Sequence, residues 1–204
     1  MFYEQNRLYM LYGNHDMEKK YKKFCQNCCS TYFCTESLCE EPLFPDITYY
    51  PGLILKDCQG SHDLYLTHGH QAELLNSVFW RVARFLVRYV WTPLENVGVL
   101  DPTSAAKNYV RKEKTERRLI NWAETEGKLL ITGHTHRPRL APADIPYFNT
   151  GSCVHPYVIT CIEIENRALT LVKWTLNTRR DMSLYVAREV LAGPYSLSTV
   201  RASR

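Results

Sequence analysis

The chain has 204 residues, of which 45% are hydrophobic and 23% are charged. This composition is ordinary for a globular protein, and it excludes a wholly disordered chain and a fibrous protein. The formal net charge of +4 is too small by itself to indicate a protein that binds nucleic acid. The positive charge is concentrated in residues 78–118, which hold nine Lys or Arg against four Asp or Glu.

The sequence predicts neither a signal peptide nor a transmembrane helix. The first residues lack a basic region followed by an apolar stretch. The longest run without Asp, Glu, Lys or Arg, at 145–162, contains two prolines, an asparagine and a glycine, so it is interpreted as two short strands around a turn. Eight cysteines without an export signal indicate reduced thiols. We therefore expect a cytoplasmic protein, in which peripheral contact with a membrane stays open.

The first half of the chain alternates short apolar segments with turn residues. In chain order, the predicted elements are a strand at 7–12, a short polar helix at 18–24, an irregular cysteine-rich stretch, and strands at 52–56 and 63–67. The first strand runs into Gly13-Asn14-His15-Asp16, and the last runs into His68-Gly69-His70.

The main helical block is predicted over 72–126, with a break at Asp101-Pro102 and an end at Gly127. Its first helix has an apolar arc that is wider than an ordinary core stripe. Next to that arc lies an arginine stripe, formed by Arg81, Arg84 and Arg88. Such a stripe is typical either of a solvated helix face or of a surface that binds phosphate groups.

The last third of the chain is rich in predicted strands. They lie at 129–132, 147–149, 158–164, 169–174 and 184–191, and the third and fourth are joined by a turn at Asn166-Arg167. The strand at 129–132 runs into Gly133-His134-Thr135-His136. The sequence as a whole therefore predicts a mixed α/β fold with histidines at the ends of strands.

Three histidine motifs, at 13–16, 68–70 and 133–136, each follow a predicted strand. Loops at strand ends are where active sites are commonly built. Neutral imidazole nitrogens and an Asn carbonyl oxygen are suitable ligands for Mn²⁺, Fe and Zn²⁺. A histidine that is oriented by a carboxylate can instead act as a proton donor. The motifs therefore indicate metal-assisted hydrolysis.

These motifs, with Asn149-Thr150-Gly151-Ser152 after them, resemble the calcineurin-like metallophosphoesterase superfamily. The resemblance implies a layered α-β-β-α sandwich in a single domain, 1–204, with the block at 72–126 inserted as a helical cap. It also implies a site with two divalent metal ions, Mn, Fe or Zn, that hydrolyses a phosphoester or pyrophosphate bond.

The resemblance also implies a role for each motif residue. Asn14, His68 and His134 would bind one metal ion, and His136 would bind the other.

The remaining motif residues would handle protons and substrate. His15 would be the general acid and Asp16 would orient its ring. His70 either faces the substrate or hydrogen-bonds to the backbone, and the arginine stripe would contact phosphate groups.

One part of the family pattern is missing. The family begins with a D-x-H and a G-D-x-x-D motif on an N-terminal β-α-β segment, but the twelve residues before Gly13 contain neither Asp nor His. The chain is then a fragment, a degenerate relative or a protein that another chain completes. As given, it is expected to bind one metal ion rather than two.

The position of the helical block is similar to that of the cap in lipid A pathway pyrophosphohydrolases, which act on a nucleotide-diacylglucosamine. A phosphorylated small molecule or a lipid-nucleotide is therefore the expected substrate, and nucleic acid is not favoured. The alternative is a non-catalytic module of the same fold that binds anionic ligands through the arginine stripe. Five cysteines at 25–39 leave two interpretations open, free thiols or a structural zinc site.

Overall fold

The computed structural model describes residues 2–60, 62–73, 85, 109–140, 145–155 and 157–200. The chain divides into two compact units, Met1–Leu53 and Ile54–Arg204. Most of the predicted helical block, with the whole arginine stripe, lies outside the described residues. Within the described part, no helix has both the length and the apolar character needed to cross a membrane.

The first unit consists of short elements. Its strands are β1 (Met10–Leu11), β2 (Thr31–Cys34), β3 (Cys39–Pro42) and β4 (Tyr49–Tyr50), and a 3-10 helix (Met17–Lys20) precedes helix α1 (Lys22–Cys28). β1 pairs in parallel with β4, and β2 forms an antiparallel hairpin with β3. The predicted strand at 7–12 is present only in its last part. The stretch that was expected to be irregular contains the hairpin.

The second unit is built on a five-stranded sheet. Its strands are β5 (Gly52–Leu55), which spans the boundary between the units, β6 (Leu64–Thr67), β7 (Leu129–Thr132), β8 (Arg139–Leu140) and β9 (Tyr147–Asn149). The order is β5-β6-β7-β9-β8. β6, β7 and β9 run parallel, and β8 is antiparallel to β9. The carboxyl ends of three neighbouring strands therefore meet at one edge of the sheet.

A second, antiparallel sheet follows, in the order β10 (Val158–Glu165), β11 (Ala168–Thr178) and β12 (Leu184–Ser196). Asn166 and Arg167 connect β10 to β11 with φ angles of 48° and 60°. Two consecutive positive φ angles are typical of the type I′ hairpin turn, whose twist matches that of the flanking strands. The predicted turn at these two residues is therefore confirmed.

The two sheets pack face to face, and a helix covers the other face of the first sheet. On β7, Leu129 and Ile131 belong to a core shared with Leu169 and Leu171 of the second sheet. The residue between them, Leu130, instead packs against helix α2 (Tyr109–Glu126). This alternation follows from the two-residue period of a strand, and it explains why all four residues of β7 are apolar or buried.

Helix α2 ends where the sequence predicts. Gly127 has a φ of 59°, and the N–H of Lys128 donates to the carbonyl oxygen of Ala123 at 2.9 Å. A glycine in the left-handed region lets the chain turn back to satisfy the last carbonyl groups of a helix. On the buried side of α2, Leu119 and Ala123 contact the sheet.

The fold class is confirmed as mixed α/β. In the described part of the second unit, α2 and the three-stranded sheet pack on opposite faces of the five-stranded sheet, but the layered α-β-β-α sandwich as a whole stays a prediction. The single domain at 1–204 and the inserted cap at 72–126 also stay predictions.

The packing of the two sheets predicts a contrast between two leucines of β11. Leu169 is fully buried, whereas Leu176 is 55% exposed. Leu169→Ala should lower the free energy of unfolding by about 2–5 kcal/mol, because it leaves a cavity between the sheets. Leu176→Ala should cost less than about 1 kcal/mol. Urea unfolding measures both, and equal losses would contradict this account of the core.

Candidate functional site

The turn after β6 presses closely against the turn after β7. Gly69 has a φ of 103°, and a Cβ at this position would lie 3.3 Å from Cβ of Thr132 and 3.4 Å from Cβ of His134. A side chain here would be strained by the backbone angle and crowded by the neighbouring strand. The glycine of the His68-Gly69-His70 motif therefore allows two histidine-bearing turns to lie side by side.

The turn after β7 is tight and holds two histidines in an uncommon conformation. The N–H of Gly133 donates to the carbonyl oxygen of His68 at 3.2 Å, and the N–H of Thr135 donates to that of Gly133 at 2.8 Å. His134 and His136 have φ angles of 65° and 57°. Residues other than glycine adopt positive φ rarely, and such strain concentrates at functional sites.

These turns bring three imidazoles together into a histidine cluster, defined as His68, His70 and His134. The ring centroids of His68 and His134 are 5.1 Å apart, and those of His68 and His70 are 5.2 Å apart. The Nδ1 atoms of His68 and His70 lie 3.2 Å from each other, so one ring donates to the other. The cluster forms because parallel strands deliver their following turns to the same edge of the sheet.

A buried carboxylate anchors the cluster. Oε1 of Glu73 lies 3.3 Å from Nε2 of His134 and accepts a hydrogen bond of 2.7 Å from the hydroxyl of Thr115 on α2. Glu73 is only 6% exposed. A carboxylate is rarely buried to this extent without partners. Glu73 could not be predicted from the sequence, because a single glutamate three residues after a histidine motif is not part of any recognisable motif.

A second buried carboxylate, that of Glu116, contacts the turn after β7. The hydroxyl of Thr135 donates to Oε1 of Glu116 at 2.8 Å, and Nη1 of Arg137 lies 3.3 Å from Oε2 of Glu116. Glu116 belongs to α2, one residue after Thr115. Helix α2 thus holds the motif at 133–136 through two adjacent residues. Thr115 donates to Glu73, the partner of His134, and Glu116 accepts from Thr135. The sequence analysis gave neither helix residue a role.

Asn149, at the end of β9, connects the motif to the next strand. Its Nδ2 donates to the carbonyl oxygen of Gly133 at 2.7 Å, and its Oδ1 accepts from the N–H of Gly151 at 2.8 Å. Three hydroxyls also lie within 3.2 Å of Nδ2, those of Thr132, Thr135 and Tyr147. Asn149 is fully buried, so its amide fixes the position of the turn within the protein interior.

Burial also affects the phenol that lies against this amide. Burial raises the pKa of the Tyr147 hydroxyl above its ordinary value, although hydrogen bonds with Thr132 and Asn149 oppose the shift. The phenol is therefore protonated and uncharged. The network around Asn149 is therefore composed of neutral groups at physiological pH.

His136 contacts another histidine, His155. Its ring packs edge-on against that of His155, with centroids 5.7 Å apart. This contact places His155 against a candidate metal ligand.

The asparagine motif lies in the first unit, where Asp16 holds its own loop. Oδ1 of Asp16 accepts from the N–H of Gly13 at 2.5 Å, and Oδ2 lies 3.0 Å from Nζ of Lys19. Partial burial opposes the charge on Lys19, but the contact with Asp16 keeps the pKa of this lysine above its ordinary value. Both carboxylate oxygens are thus used within the loop, and the described residues include no hydrogen bond from Asp16 to the exposed ring of His15.

Asn14 carries an unusual atom. Its Oδ1 is buried and has no hydrogen-bond partner among the described residues. A buried acceptor without a donor is destabilising, and it is commonly explained by a bound ion or water. A bound cation would supply the interaction that this oxygen lacks.

The donor types therefore fit a metal ion, although no complete cage is present. In the part of the chain that the structure describes, no three His, Cys, Asp or Glu side chains are arranged to hold a metal ion. The predicted set for one ion, Asn14 with His68 and His134, contains only two residues of these types. Among the described residues, the cysteines of the first unit are likewise not grouped around a common metal position. They form no disulfide, and the free thiols are Cys25, Cys28, Cys29, Cys34 and Cys39.

An apolar cavity lies between the five-stranded sheet and α2, and its lining includes residues that flank His68 and His70 in the sequence. Its volume is about 540 Å³, and it is lined by Tyr65, Thr67, Gln71, Ala72, Arg118, Leu119, Trp122 and Leu130. Nη1 of Arg118 donates to the carbonyl oxygen of Ala72 at 3.0 Å, which places a guanidinium at the wall of the cavity. The cavity thus combines an apolar lining with one positive charge.

Comparison with known proteins gives no match to a family model and none to a curated protein sequence. Two solved structures are similar to part of the chain. Vps29 from Chaetomium thermophilum is 12% identical with a TM-score of 0.33, over 70% of this chain and 60% of that one. A predicted phosphoesterase from Streptococcus pneumoniae TIGR4 is 17% identical with a TM-score of 0.31, over 70% of this chain and 63% of that one. The chain spans less than two thirds of either structure.

The role of Asn149 predicts a pH-dependent loss of stability in Asn149→Asp. The variant replaces the donor to the Gly133 carbonyl with a carboxylate oxygen, which should lower the free energy of unfolding by about 1–3 kcal/mol at neutral pH. The folded state should raise the pKa of the new carboxyl, so the loss should be smallest below about pH 4 and grow as the pH rises.

Urea unfolding at several pH values measures this loss. The matched control is Asn177→Asp, because Asn177 lies on the exposed end of β11. A loss in Asn149→Asp that matched the control at every pH would show that the amide does not hold the turn.

Proposed function

We propose that the chain is a metal-dependent phosphoester or pyrophosphate hydrolase of the metallophosphoesterase type. The observation that carries the proposal is the convergence of two predicted histidine motifs at the ends of parallel strands, with the rings of His68 and His134 5.1 Å apart. Buried carboxylates and a buried amide fix these turns, as is common for the residues around a metal site.

One metal ion would be held by His68 and His134, whose rings lie 5.1 Å apart. Asn14, the third ligand that the resemblance implies, belongs to the first unit and stays a prediction. The hydrogen bond between Nε2 of His134 and Glu73 supports the role of His134, because a carboxylate on one imidazole nitrogen orients the other toward a metal. His136 would be one ligand of a second ion in the complete family site, and Mn, Fe and Zn all suit imidazole ligands. When bound, such ions polarise the phosphate and activate a water molecule.

The protein's own residues would then handle protons and substrate. His15 is exposed and follows Asn14, so its imidazole could donate a proton to a leaving group. Asp16 would contribute by fixing the loop that carries His15, through its hydrogen bond to Gly13. The arginine stripe, which falls outside the described residues, would contact the substrate. His70 is buried with its Nδ1 3.2 Å from that of His68, so it would instead position this ligand.

The substrate we propose is a phosphorylated small molecule or a lipid-nucleotide with an apolar group. The cavity of about 540 Å³ between the five-stranded sheet and α2 would take that group, since its walls include Leu119, Trp122 and Leu130. Arg118 at the cavity wall would suit a phosphate that lies between the apolar group and the metal ion.

The second candidate is a non-catalytic module of the same architecture that binds anionic ligands. The observation that favours it is the lack, among the described residues, of three His, Cys, Asp or Glu side chains arranged around one metal position. The binding module would hold its ligand through the arginine stripe, whereas the hydrolase requires the histidine cluster to bind a metal ion.

Metal binding and hydrolysis test the proposal together. Calorimetric titration of the full chain with Mn²⁺ should show a binding site, and the loaded protein should hydrolyse bis(4-nitrophenyl) phosphate. His134→Ala should abolish both, because it removes a ligand. Glu73→Gln should weaken Mn²⁺ binding by about 10–100-fold, because it removes the charge that orients His134.

The matched control is His62→Ala. His62 lies just before the amino end of β6, whereas His68 follows its carboxyl end, so the control removes a histidine from the opposite end of the strand. It should leave Mn²⁺ affinity and hydrolysis unchanged. Mn²⁺ binding without hydrolysis would favour the binding module, and absence of Mn²⁺ binding in the unaltered chain would overturn the hydrolase.

A further inference from the structure

Two cysteines face each other at the end of the hairpin in the first unit. In the register of β2 and β3, Cys34 lies directly opposite Cys39, and the two residues close a turn at 35–38. Residues that are directly opposite in an antiparallel pair have Cα atoms about 4.5–5.5 Å apart. A disulfide needs Cα atoms about 4.4–6.8 Å apart, so the hairpin can accept one without moving its backbone. Both residues are free thiols in this structure.

A shared hydroxyl brings the two sulfur atoms to the same side of the turn. Sγ of Cys39 lies 3.2 Å from Oγ of Ser37 and donates to it. Hydrogen bonds with Ser37 and with the backbone of Glu36 lower the pKa of the Cys34 thiol below its ordinary value, although a hydrogen bond with the Glu41 carboxylate opposes the shift. The hydroxyl proton of Ser37 is itself donated to Oε1 of Glu41 at 2.6 Å. Cys34 therefore has increased thiolate character at neutral pH, and its register partner contacts the same serine.

The other thiols of this unit differ in environment. Cys25 is buried, and Sγ of Cys25 donates to the carbonyl oxygen of Lys19 at 3.0 Å. Burial raises the pKa of Cys25, which keeps it protonated and unreactive. The hairpin pair is thus distinct from Cys25 in accessibility and in charge.

We propose that Cys34 and Cys39 form an oxidisable dithiol, which hydroperoxides convert into an intramolecular disulfide. The thiolate of Cys34 attacks the O–O bond of the hydroperoxide, forms a sulfenic acid and releases an alcohol or water. The sulfur of Cys39 then attacks the sulfenic sulfur, the S–S bond forms, and the departing hydroxide takes the proton of Cys39 as water. Two thiols and one hydroperoxide give one disulfide, one alcohol or water, and one further water.

This dithiol is independent of the proposed hydrolase, since none of the residues assigned to the metal site takes part. The disulfide closes a loop of only six residues, so it restricts the unfolded chain less than a disulfide across a long loop would. Exposure of Cys39 leaves the bond open to attack by thiols. These properties are typical of a reversible modification rather than of a structural cross-link.

The test treats the reduced full chain with hydrogen peroxide and follows each cysteine by alkylation with iodoacetamide and peptide mass spectrometry. Cys58, an exposed thiol of the second unit, is the internal reference. The peptide that holds Cys34 and Cys39 should lose the mass of two hydrogen atoms at least about ten times faster than Cys58 is oxidised, because thiolate fraction controls the rate. Dithiothreitol should restore it.

Three variants distinguish the dithiol from general thiol oxidation. Cys34→Ser should lower the oxidation rate of Cys39 to that of Cys58. Ser37→Ala should slow disulfide formation and shift alkylation of Cys34 to higher pH. Its control, Ser30→Ala, should change neither, because Oγ of Ser30 donates to the carbonyl oxygen of Gln26. Oxidation of the pair no faster than Cys58, or pairing of Cys34 with Cys28 or Cys29, would overturn the proposal.

Discussion

The side-chain amide of Asn149 holds the arrangement on which the rest of the candidate site depends. It joins the carbonyl of Gly133 to the N–H of Gly151, and so it fixes the turn after β7 relative to the end of β9. Because Gly133 in turn donates to the carbonyl oxygen of His68, the amide also sets the distance between the two histidine-bearing turns. Its full burial makes each of these hydrogen bonds costly to lose.

Helix α2 adds a second constraint from the opposite side of the sheet. Its neighbouring residues Thr115 and Glu116 contact Glu73 and Thr135, so one turn of the helix holds the motif at 133–136 both directly and through Glu73. A buried carboxylate is expensive to remove from water, and such groups are kept where they specify one arrangement or tune a site. The packing of α2 therefore affects the geometry of the imidazoles through these two carboxylates, although the described part of the helix contributes no candidate ligand.

Sequence patterns predicted the parts of the fold that local chemistry determines. β7 was predicted at its observed bounds, because four consecutive apolar or β-branched residues are bounded by Lys128 and Gly133. The meeting of His68 with His134 also followed, since both come directly after parallel strands. Glu73 and Glu116 escaped prediction because a buried glutamate differs from a solvated one only in its tertiary partners. The hairpin at Thr31–Pro42 was missed for a similar reason, because its exposed strands have no apolar alternation.

The claim that this arrangement exists to hold a metal ion is tested most directly by anomalous X-ray diffraction from crystals of the full chain grown with Mn²⁺. The account predicts a manganese peak within ligand distance of an imidazole nitrogen of His68 and of Nδ1 of His134, with Nε2 of His134 still hydrogen-bonded to Glu73. A manganese peak at another place, or crystals with an ordered histidine cluster and no peak beside it, would contradict the account.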